Sequence, residues 1–444
     1  MIKPSHLSSP LINIFSLNNL RHHFLFLSLL AFISFVFLNS CSPTERFTKK
    51  EETNIPPTGE VEASTPAATV SELRVMLQEV NQKEIISIES LANLYNHAKK
   101  IKLIPAGSMV SCSEADGNLI LNLNNEIYNS EKFSFNPVDG NEDFIKVNGK
   151  KYRGKIQVSV SGNSINLINV VSLEDYVKGV LPKEMPLGKN DENFEALKAL
   201  AVCIRTYAIK KVQDGKIFFD LYSDTRDQVY GGVDSEHPLS NKAVDETQNL
   251  ILTFEDKPAL LFYHSTCGGY TESVENVFTS YSIPYMKSIE DGDEPFCKIS
   301  PRYSWIETYT KEEIISRLIN YSLLENDNYE LNDISIANNF ESGRVADIEI
   351  IVNRRGGTEK NLKLHGNEIR SILRTSDNKN ILWSTMFDVL LTSDKVILTG
   401  KGYGHGVGLC QWGAIALSRM GNSFEYILDH YYPGTTIGHL NDQN

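Results

Sequence analysis

The stretch Val171-Ser-Leu-Glu-Asp-Tyr-Val-Lys-Gly-Val-Leu-Pro-Lys-Glu-Met-Pro186 decides the fold class, because the spacing of its apolar residues differs from that of the preceding sequence. These residues recur at intervals of three and four, which places them on one face of a helix. They are Leu173, Tyr176, Val177, Val180 and Leu181. Pro182 is predicted to stop this helix, because proline lacks the backbone N–H that a further turn requires.

Short runs of β-branched and aliphatic residues lie upstream, separated by glycine and asparagine, which is typical of strands joined by tight turns. The predicted strands there lie within Ser71–Glu89, Asn118–Leu123, Lys155–Val160 and Ser164–Val171. Downstream, a second helix is predicted from about Glu192 to Lys211, with an apolar stripe that excludes Arg205.

The remainder of the chain mixes loops, short strands and helices. Predicted strands are Leu250–Phe254, Ala259–His264, Ile348–Val352 and Val396–Thr399. Predicted helices are Lys311–Leu323, Gly366–Leu373, Gln411–Met420 and Ser423–His430. Strand runs and helix runs are separated rather than alternating, so we expect the α+β class. The expected architecture is a strand-rich, elaborated domain with one helical segment carrying a glutamate, followed by a C-terminal glycine-rich loop and helices.

Composition excludes several classes of protein. The chain has 444 residues, 41% of them hydrophobic and 22% charged, which is ordinary for a globular protein and excludes collagen, wholesale disorder and a polytopic membrane protein. Its formal net charge is −13. An acidic chain lacks the basic footprint of non-specific nucleic-acid binding, so we expect no nucleic-acid partner.

Residues 1–41 have the pattern of a secretory signal peptide, since basic residues lead into an apolar run from Phe24 to Leu38. The run is shorter than the roughly 20 residues that span a bilayer. It ends in Leu38-Asn39-Ser40-Cys41, which is similar to a bacterial lipobox. We therefore expect an exported chain, anchored in the membrane by a lipidated Cys41 and facing the periplasm or cell wall. An uncleaved signal anchor is the alternative.

Residues 42–69 are polar, contain several prolines and predict a flexible linker. Residues 70–440 form the predicted folded domain, whose motifs concentrate in a core at 165–300 and 395–437.

Glu184 lies between two prolines and between two predicted helices whose apolar faces must pack on a core. A carboxylate held at such a junction is partly desolvated, which raises its pKa and suits it to general acid catalysis. The alternative is a solvent-exposed loop glutamate. Arg205, on the second helix, is a candidate to pair with a carboxylate or to bind a polar substrate, or else belongs to a solvated helix face.

The segment His264-Ser-Thr-Cys267-Gly-Gly-Tyr-Thr-Glu272 combines a histidine and a cysteine at a spacing that suits a shared metal, with Cys297 as a third ligand. A Cys267–Cys297 disulfide is a competing interpretation that suits an exported protein. A cysteine–histidine nucleophile pair is the third. Local sequence does not decide among them.

The segment Gly402–Gly413 is dense in glycine but does not have the spacing of a phosphate-binding loop. Glycines permit close backbone approach, which a loop holding His405 against a ligand would need. A tight structural turn is the alternative.

Taken together, these motifs resemble the stage II sporulation protein D family. The stretches that carry the resemblance are Val171–Pro186, Glu195–Ala208, Tyr263–Glu272, Gly402–Ala414 and Ile427–Thr435. The resemblance covers roughly residues 70 to 440, and these stretches occur in the order of the family.

The resemblance implies an exported peptidoglycan-remodelling enzyme. Its reaction would be lytic transglycosylation of the bond between N-acetylmuramic acid (MurNAc) and N-acetylglucosamine (GlcNAc), with Glu184 as the acid and a 1,6-anhydro-MurNAc product. No cofactor is required, although the resemblance implies a structural zinc at His264, Cys267 and Cys297. A non-catalytic glycan-binding protein that recruits or enhances a peptidoglycan amidase is the alternative. A peptidase using Cys267 or Cys410 is a third possibility.

Further residues are candidates for binding the glycan, aromatic side chains by stacking on sugar faces and polar ones by contacting hydroxyls or acetamides. These candidates are Arg205, Gln228, Tyr230, His264, Tyr285, His405, Gln411 and Trp412.

Overall fold

The computed structural model describes residues 72–81, 83–326 and 328–440. The predicted signal peptide, the lipidated Cys41 and the linker at 42–69 lie outside the described residues. Among the helices that are described, none has the length and apolarity needed to cross a membrane.

Within the described ranges the chain forms 24 strands and seven α-helices. The strands are β1 (Glu72–Asn81), β2 (Lys83–Ile88), β3 (Ala92–Asn96), β4 (Lys99–Ile104), β5 (Ser108–Ala115), β6 (Asn118–Leu123), β7 (Glu126–Ser130), β8 (Lys132–Pro137), β9 (Phe144–Val147), β10 (Lys150–Arg153), β11 (Lys155–Ser161), β12 (Ser164–Ser172), β13 (Leu221–Tyr222), β14 (Leu250–Phe254), β15 (Lys257–Pro258), β16 (Tyr263–His264), β17 (Ser304–Thr310), β18 (Tyr329–Asn339), β19 (Val345–Arg354), β20 (Glu359–His365), β21 (Phe387–Leu391), β22 (Lys395–Lys401), β23 (Leu409–Cys410) and β24 (Thr436–His439). The helices are α1 (Leu173–Glu184), α2 (Phe194–Gln213), α3 (Pro238–Glu246), α4 (Lys311–Asn320), α5 (Glu368–Leu373), α6 (Gln411–Arg419) and α7 (Phe424–Tyr431).

Two large sheets occupy the first part of the described chain. One has seven strands in the order β13-β1-β12-β11-β8-β3-β4, and the other has six in the order β10-β9-β2-β5-β6-β7. Their buried residues share one apolar core with those of α1, α2, α6 and α7. The sheets and these helices therefore bury their apolar side chains in a common core.

Helix α1 begins directly after β12, where Ser172 caps it by accepting a hydrogen bond from the Asp175 N–H at 3.2 Å. The predicted apolar face is buried as expected. The predicted end is wrong, because α1 continues through Pro182 to Glu184. A proline in the last turn removes only its own helical hydrogen bond, and the Met185 N–H still donates to the Leu181 carbonyl at 3.1 Å.

Helix α2 begins and ends two residues later than predicted and contacts α1, α3, α6 and α7. It is buried around most of its circumference between Ala196 and Ile209, rather than along a single stripe. A helix buried on all sides is central to a core, so the amphipathic interpretation of α2 was too narrow.

A second apolar core lies within residues 305–398. It is built from two three-stranded sheets, β17-β22-β21 and β18-β19-β20, together with α4 and α5. Helix α4 starts with a capping box in which Thr310 and Glu313 satisfy each other's backbone N–H groups. It ends at Asn320, three residues earlier than predicted.

The expected α+β class is confirmed in its broad form, because the described chain is rich in strands and its helices occur in separate groups. One predicted strand, Ala259–His264, is reduced to the two residues of β16. That short strand pairs in parallel with β23, which joins residues far apart in the sequence.

Candidate functional site

Glu184 is the last residue of α1, and its side chain is 3% exposed. The next residue, Met185, has extended backbone geometry and leads into Pro186, so the chain leaves the helix directly after the glutamate. Glu184 is therefore not the solvent-exposed loop residue of the alternative interpretation. Its carboxylate also lies at the negative end of the helix dipole, which favours the protonated form.

The two carboxylate oxygens of Glu184 have different surroundings. Oε1 accepts a hydrogen bond from the Val229 N–H at 2.9 Å, whereas Oε2 is buried and has no hydrogen-bond partner among the described residues. Burial raises the pKa of Glu184 from 4.5 to about 7, against the opposing effects of the Val229 N–H and the Gln411 side chain. The carboxyl group can therefore hold a proton near neutral pH and release it again.

Gln228 fixes the segment that supplies the Val229 N–H. Its Oε1 accepts from the Tyr176 hydroxyl at 3.1 Å, and its Nε2 donates to the Tyr263 hydroxyl at 2.9 Å. Burial raises the pKa of both tyrosines well above its usual value, and the Glu184 charge adds to the effect. Gln228 thus links α1 and β16 beside Glu184, and its amide is engaged with these two tyrosines.

His264 and His405 lie next to each other, with ring centroids 5.6 Å apart. His405 Nδ1 accepts from the Val407 N–H at 3.0 Å, so Nε2 carries the proton and donates to the Tyr263 carbonyl at 3.1 Å. His264 Nδ1 donates to the Val407 carbonyl at 3.1 Å. Burial lowers the pKa of His264 to about 3 and that of His405 well below its ordinary range, so both rings are neutral.

The glycine-rich loop needs its glycines where the backbone comes closest to other segments. Gly408 has a φ of +71°, and a Cβ there would lie 2.0 Å from the Phe262 carbonyl oxygen. This close approach accompanies the pairing of β23 with β16.

The next residue after β23 is Gln411, which starts α6 and is buried near Glu184. Trp412 is half-buried, and its backbone N–H donates to the Ser265 carbonyl at 3.0 Å.

We define the Glu184 cluster as Glu184, Gln228, Val229, Tyr263 and Gln411. It combines groups from the end of α1, the segment after β13, β16 and the start of α6. One titratable acid in this cluster has a raised pKa and a free buried oxygen. Such an arrangement is suited to proton transfer.

Of the eight predicted glycan-binding residues, only Trp412 is not buried. Arg205 is 0% exposed and forms a bidentate ion pair with Glu174, with N–O distances of 2.7 and 2.8 Å. The buried Tyr230 hydroxyl donates to Asn169, and the buried Tyr285 hydroxyl accepts from the Leu260 N–H. Residues so enclosed do not present a face to a sugar. The solvated-face interpretation of Arg205 is wrong for the same reason.

The predicted metal triad is not assembled in the form expected. The Sγ atoms of Cys267 and Cys297 lie 3.4 Å apart, but the residues grouped with them are Asp291 and Cys410 rather than His264. The imidazole of His264 is instead oriented by its hydrogen bond to the Val407 carbonyl. All five described cysteines are free thiols. We call Cys267, Asp291, Cys297 and Cys410 the cysteine cluster.

Sequence reasoning missed Asp291 and Cys410 as members of this group. Asp291 lies six positions before Cys297, and Cys410 comes from a segment more than a hundred residues away. No metal-binding motif of fixed spacing contains them, because their proximity depends on the pairing of β16 with β23. The only local signal is that Cys410 lies within the glycine-rich segment Gly402–Gly413.

Comparison with known proteins identifies the family. Residues 161–254 match the family described as stage II sporulation protein. Stage II sporulation protein D of Bacillus amyloliquefaciens is 31% identical over 298 residues, which cover 64% of this chain and 78% of that protein. The chain belongs to the stage II sporulation protein D family.

Other relatives place this stage II sporulation protein D family member in a wider group. An uncharacterized protein of Brachyspira hyodysenteriae is 31% identical over 377 residues, covering 84% of this chain and 94% of that protein. The amidase enhancer of Bacillus subtilis is 30% identical over 297 residues, covering 59% of this chain and 40% of that protein.

The family match includes α1, Glu184, α2 and Gln228. Residues 296–408 match a separate family described as a domain of unknown function, and this range includes the second apolar core. Membership of the stage II sporulation protein D family and similarity to an amidase enhancer support a role related to the cell wall.

Proposed function

We propose that this protein is an exported peptidoglycan lytic transglycosylase that cleaves the MurNAc–GlcNAc bond with Glu184 as general acid and then general base. The observation that carries the proposal is the buried Glu184 carboxyl group, which has a pKa of about 7 and an oxygen without a hydrogen-bond partner among the described residues. A catalytic group that must both give and take a proton works best with a pKa near the working pH.

In the first step, the protonated Glu184 donates its proton to the glycosidic oxygen. The bond between this oxygen and C1 of MurNAc then breaks, and C1 acquires the character of an oxocarbenium ion. GlcNAc leaves with its hydroxyl group restored. The Val229 N–H holds Oε1, so Oε2 is the oxygen available to carry the proton.

In the second step, the ionised Glu184 accepts the proton of the MurNAc C6 hydroxyl. The C6 oxygen attacks C1, closes the 1,6-anhydro ring and returns Glu184 to its protonated state. The attacking hydroxyl belongs to the substrate, so no water needs activation and the second carboxylate of an ordinary glycosidase is not required. One buried glutamate is therefore sufficient.

Trp412 is the predicted glycan-binding residue best placed to contact the substrate, and Gln411 is buried beside Glu184. Gln411 lies close enough to influence the Glu184 carboxyl group, and Trp412 follows it as a half-buried aromatic side chain. The Trp412 ring supplies a stacking surface for a sugar.

A second candidate function is a glycan-binding protein that recruits or enhances a peptidoglycan amidase. The relative named amidase enhancer favours it, as does the low exposure of Glu184, which limits access to a bulky glycan. This function would use the same surface for binding without bond cleavage.

In either function the chain would act outside the cytoplasm, facing the periplasm or cell wall, and be held on the membrane by a lipidated Cys41 or a signal anchor. Replacing Cys41 with alanine tests the lipid anchor. Loss of the lipid mass, with release from the membrane or blocked processing, supports it, whereas unchanged mass and fractionation favour a signal anchor.

The decisive experiment is product analysis with purified protein on intact peptidoglycan and on glycan strands stripped of stem peptides. Lytic transglycosylation yields MurNAc ends that are about 20 mass units lighter than hydrolysed and reduced ends, because ring closure replaces the addition of water. Reducing MurNAc ends would instead mean hydrolysis. Stimulation of an amidase without any glycan cleavage would establish the second function.

A further inference from the structure

The cysteine cluster brings together three thiols and one carboxyl group from distant parts of the chain. The Sγ atoms of Cys267, Cys297 and Cys410 and a carboxylate oxygen of Asp291 all lie within 4.8 Å of one another, and all four residues are buried. Cys267 follows β16, Cys297 lies in the 3₁₀ helix Phe296–Ile299, and Cys410 ends β23 and caps α6.

These separations suit one tetrahedral zinc ion. Zinc–sulfur bonds of about 2.3 Å place two sulfur ligands of a tetrahedron about 3.8 Å apart. The Cys267–Cys297 sulfur separation is 3.4 Å, and the other ligand separations stay below the 4.8 Å limit. Three sulfur atoms and one oxygen also match the preference of a thiolate-rich tetrahedral site for zinc.

Backbone N–H groups surround the sulfur atoms. The Cys267 N–H donates to Cys410 Sγ at 3.2 Å, and the Gly413 N–H donates to the same atom at 3.4 Å. The Gly269 N–H donates to Cys267 Sγ at 3.4 Å. Donors of this kind stabilise thiolates and orient them toward a metal.

Asp291 is oriented as well. Its Oδ1 accepts from the Tyr431 hydroxyl at 2.6 Å, and its Oδ2 accepts from the Cys297 N–H at 2.8 Å. A carboxylate held by two outer donors keeps further lone pairs for a metal ion. Asp291 therefore has the arrangement of a supported ligand rather than of an isolated buried acid.

A buried arginine gives an independent indication that the cluster carries negative charge. Arg344 is 0% exposed, and its Nη2 donates to the Cys267 carbonyl at 2.6 Å. Its Nε and Nη1 have no hydrogen-bond partner among the described residues. The nearby Glu272 accepts hydrogen bonds from the Ser342 hydroxyl, the Ser273 N–H and the Asn276 amide. Its charge acts on Arg344 together with the three cysteines of the cluster.

An unpaired buried guanidinium is costly unless negative charge lies nearby. Three thiolates and a carboxylate remain anionic in sum after a divalent cation binds, so they compensate Arg344 together with Glu272. A Cys267–Cys297 disulfide would remove the charge of two sulfur atoms and leave Cys410 and Asp291 without a shared role. The position of Arg344 therefore favours the metal over the disulfide.

We infer that Cys267, Asp291, Cys297 and Cys410 bind one structural zinc ion, with no part for His264. The three thiols release their protons to solvent as the zinc–sulfur bonds form. Four protein ligands complete a tetrahedron and leave no open position for a substrate, so the ion stabilises structure and does not react. This inference does not depend on the proposed enzymatic activity.

The site would connect the metal to the Glu184 cluster through the start of α6. Cys410 is a zinc ligand, and the next residue, Gln411, lies beside Glu184. The ion would therefore hold the N-terminal end of α6 in place relative to the glutamate.

The test is metal analysis of the full chain, purified under reducing conditions from cells supplied with zinc. We expect about one zinc ion per chain, and strong sulfur-to-metal charge-transfer absorption when cobalt(II) replaces it. Cys410→Ser and Asp291→Asn should each lose most of the bound metal on dialysis against a chelator of moderate strength, whereas His264→Ala should retain it. Cys112→Ala, which removes a buried cysteine outside the cluster, is the matched control and should also retain it.

If a variant fails to fold, the metal content and the number of free thiols of the wild-type chain still test the inference. A folded, reduced wild-type chain without metal would overturn the inference, as would two fewer free thiols than cysteines outside the signal peptide. Undiminished zinc in folded Cys410→Ser would place the ion elsewhere and overturn it too.

Discussion

The Glu184 cluster and the cysteine cluster lie on adjacent residues of one helix start, yet their chemistry differs. Gln411 belongs to the first and Cys410 to the second. In the Glu184 cluster, one carboxylate oxygen has no partner among the described residues, and the pKa is raised. In the cysteine cluster, four ligand groups converge on one point. Burial thus raises the pKa of a single acid, whereas the same burial surrounds a set of converging groups that are suited to holding an ion.

The largest expected effect concerns the acid itself. Glu184→Gln keeps the size and polarity of the side chain but removes its ability to transfer a proton, so glycan cleavage should fall by about 10² to 10⁴-fold. Glycan binding and zinc content should remain. Glu142→Gln, a change at an exposed loop position, is the matched control in the same cleavage assay. Cleavage by Glu184→Gln at the wild-type rate would refute the role of Glu184.

Metal removal should affect stability strongly. Free zinc at a thousandfold excess over its dissociation constant stabilises the folded chain by about 4 kcal/mol. A strong chelator should therefore lower the thermal midpoint of the wild-type chain, and added zinc should restore it. Asp291→Asn should show little response to either treatment. A thermal midpoint of the wild-type chain that changes with neither chelator nor zinc would mean that the cysteine cluster does not hold a stabilising metal ion.

The raised pKa of Glu184 also predicts how stability depends on pH. Between pH 4.5 and about 7 the folded chain holds a proton at Glu184 that the unfolded chain has released. The contribution of Glu184 to the free energy of unfolding is thus fully present below pH 4.5. It falls by about 3 kcal/mol as the pH rises to about 7.

Denaturant unfolding of wild type and Glu184→Gln across this range measures the effect, because the glutamine variant lacks the titration. Their difference in unfolding free energy should change in this interval and level off above it. A constant difference would show that Glu184 has an ordinary pKa. Cleavage activity should decline as the pH rises through about 7, because Glu184 must start the reaction protonated.

The smallest expected effect comes from Gln411. Its side chain lowers the pKa of Glu184, so Gln411→Leu should raise that pKa and move the alkaline limb of the activity profile to higher pH, by an amount equivalent to about 1 kcal/mol. Gln213→Leu, at the exposed end of α2, is the control and should leave the limb in place. A shift to lower pH would contradict the assigned direction.

The parts of the fold that sequence predicted depend on local regularity. The apolar residues between Leu173 and Leu181 recur with the 3.6-residue repeat of a helix, and this spacing predicts α1. The repeat does not depend on which residues pack against the helix. Pro182 misled the boundary, since a proline in the last turn removes only one hydrogen bond. The desolvation of Glu184 was predicted from its flanking sequence, but it lies at the end of α1 rather than between two helices. Its hydrogen bond to the Val229 N–H was not predicted.

The parts that sequence did not predict depend on contacts between distant segments. Arg205 is a charged residue whose burial becomes possible only because Glu174 and the Leu250 carbonyl satisfy it. Asp291 and Cys410 join Cys267 and Cys297 only through tertiary structure. Periodicity and short motifs contain no information on such long-range contacts.

The parallel pairing of β16 with β23 has a consequence for the order of assembly. Tyr263 pairs with Leu409, and His264 pairs with Cys410, although these partners are separated by about 146 residues of chain. Closing so long a loop carries a large entropic cost that only later contacts offset. A ribosome makes Glu184 well before it makes Gln411. Newly synthesised chains therefore carry the glutamate before the residues that surround it from β23 and α6 have been made.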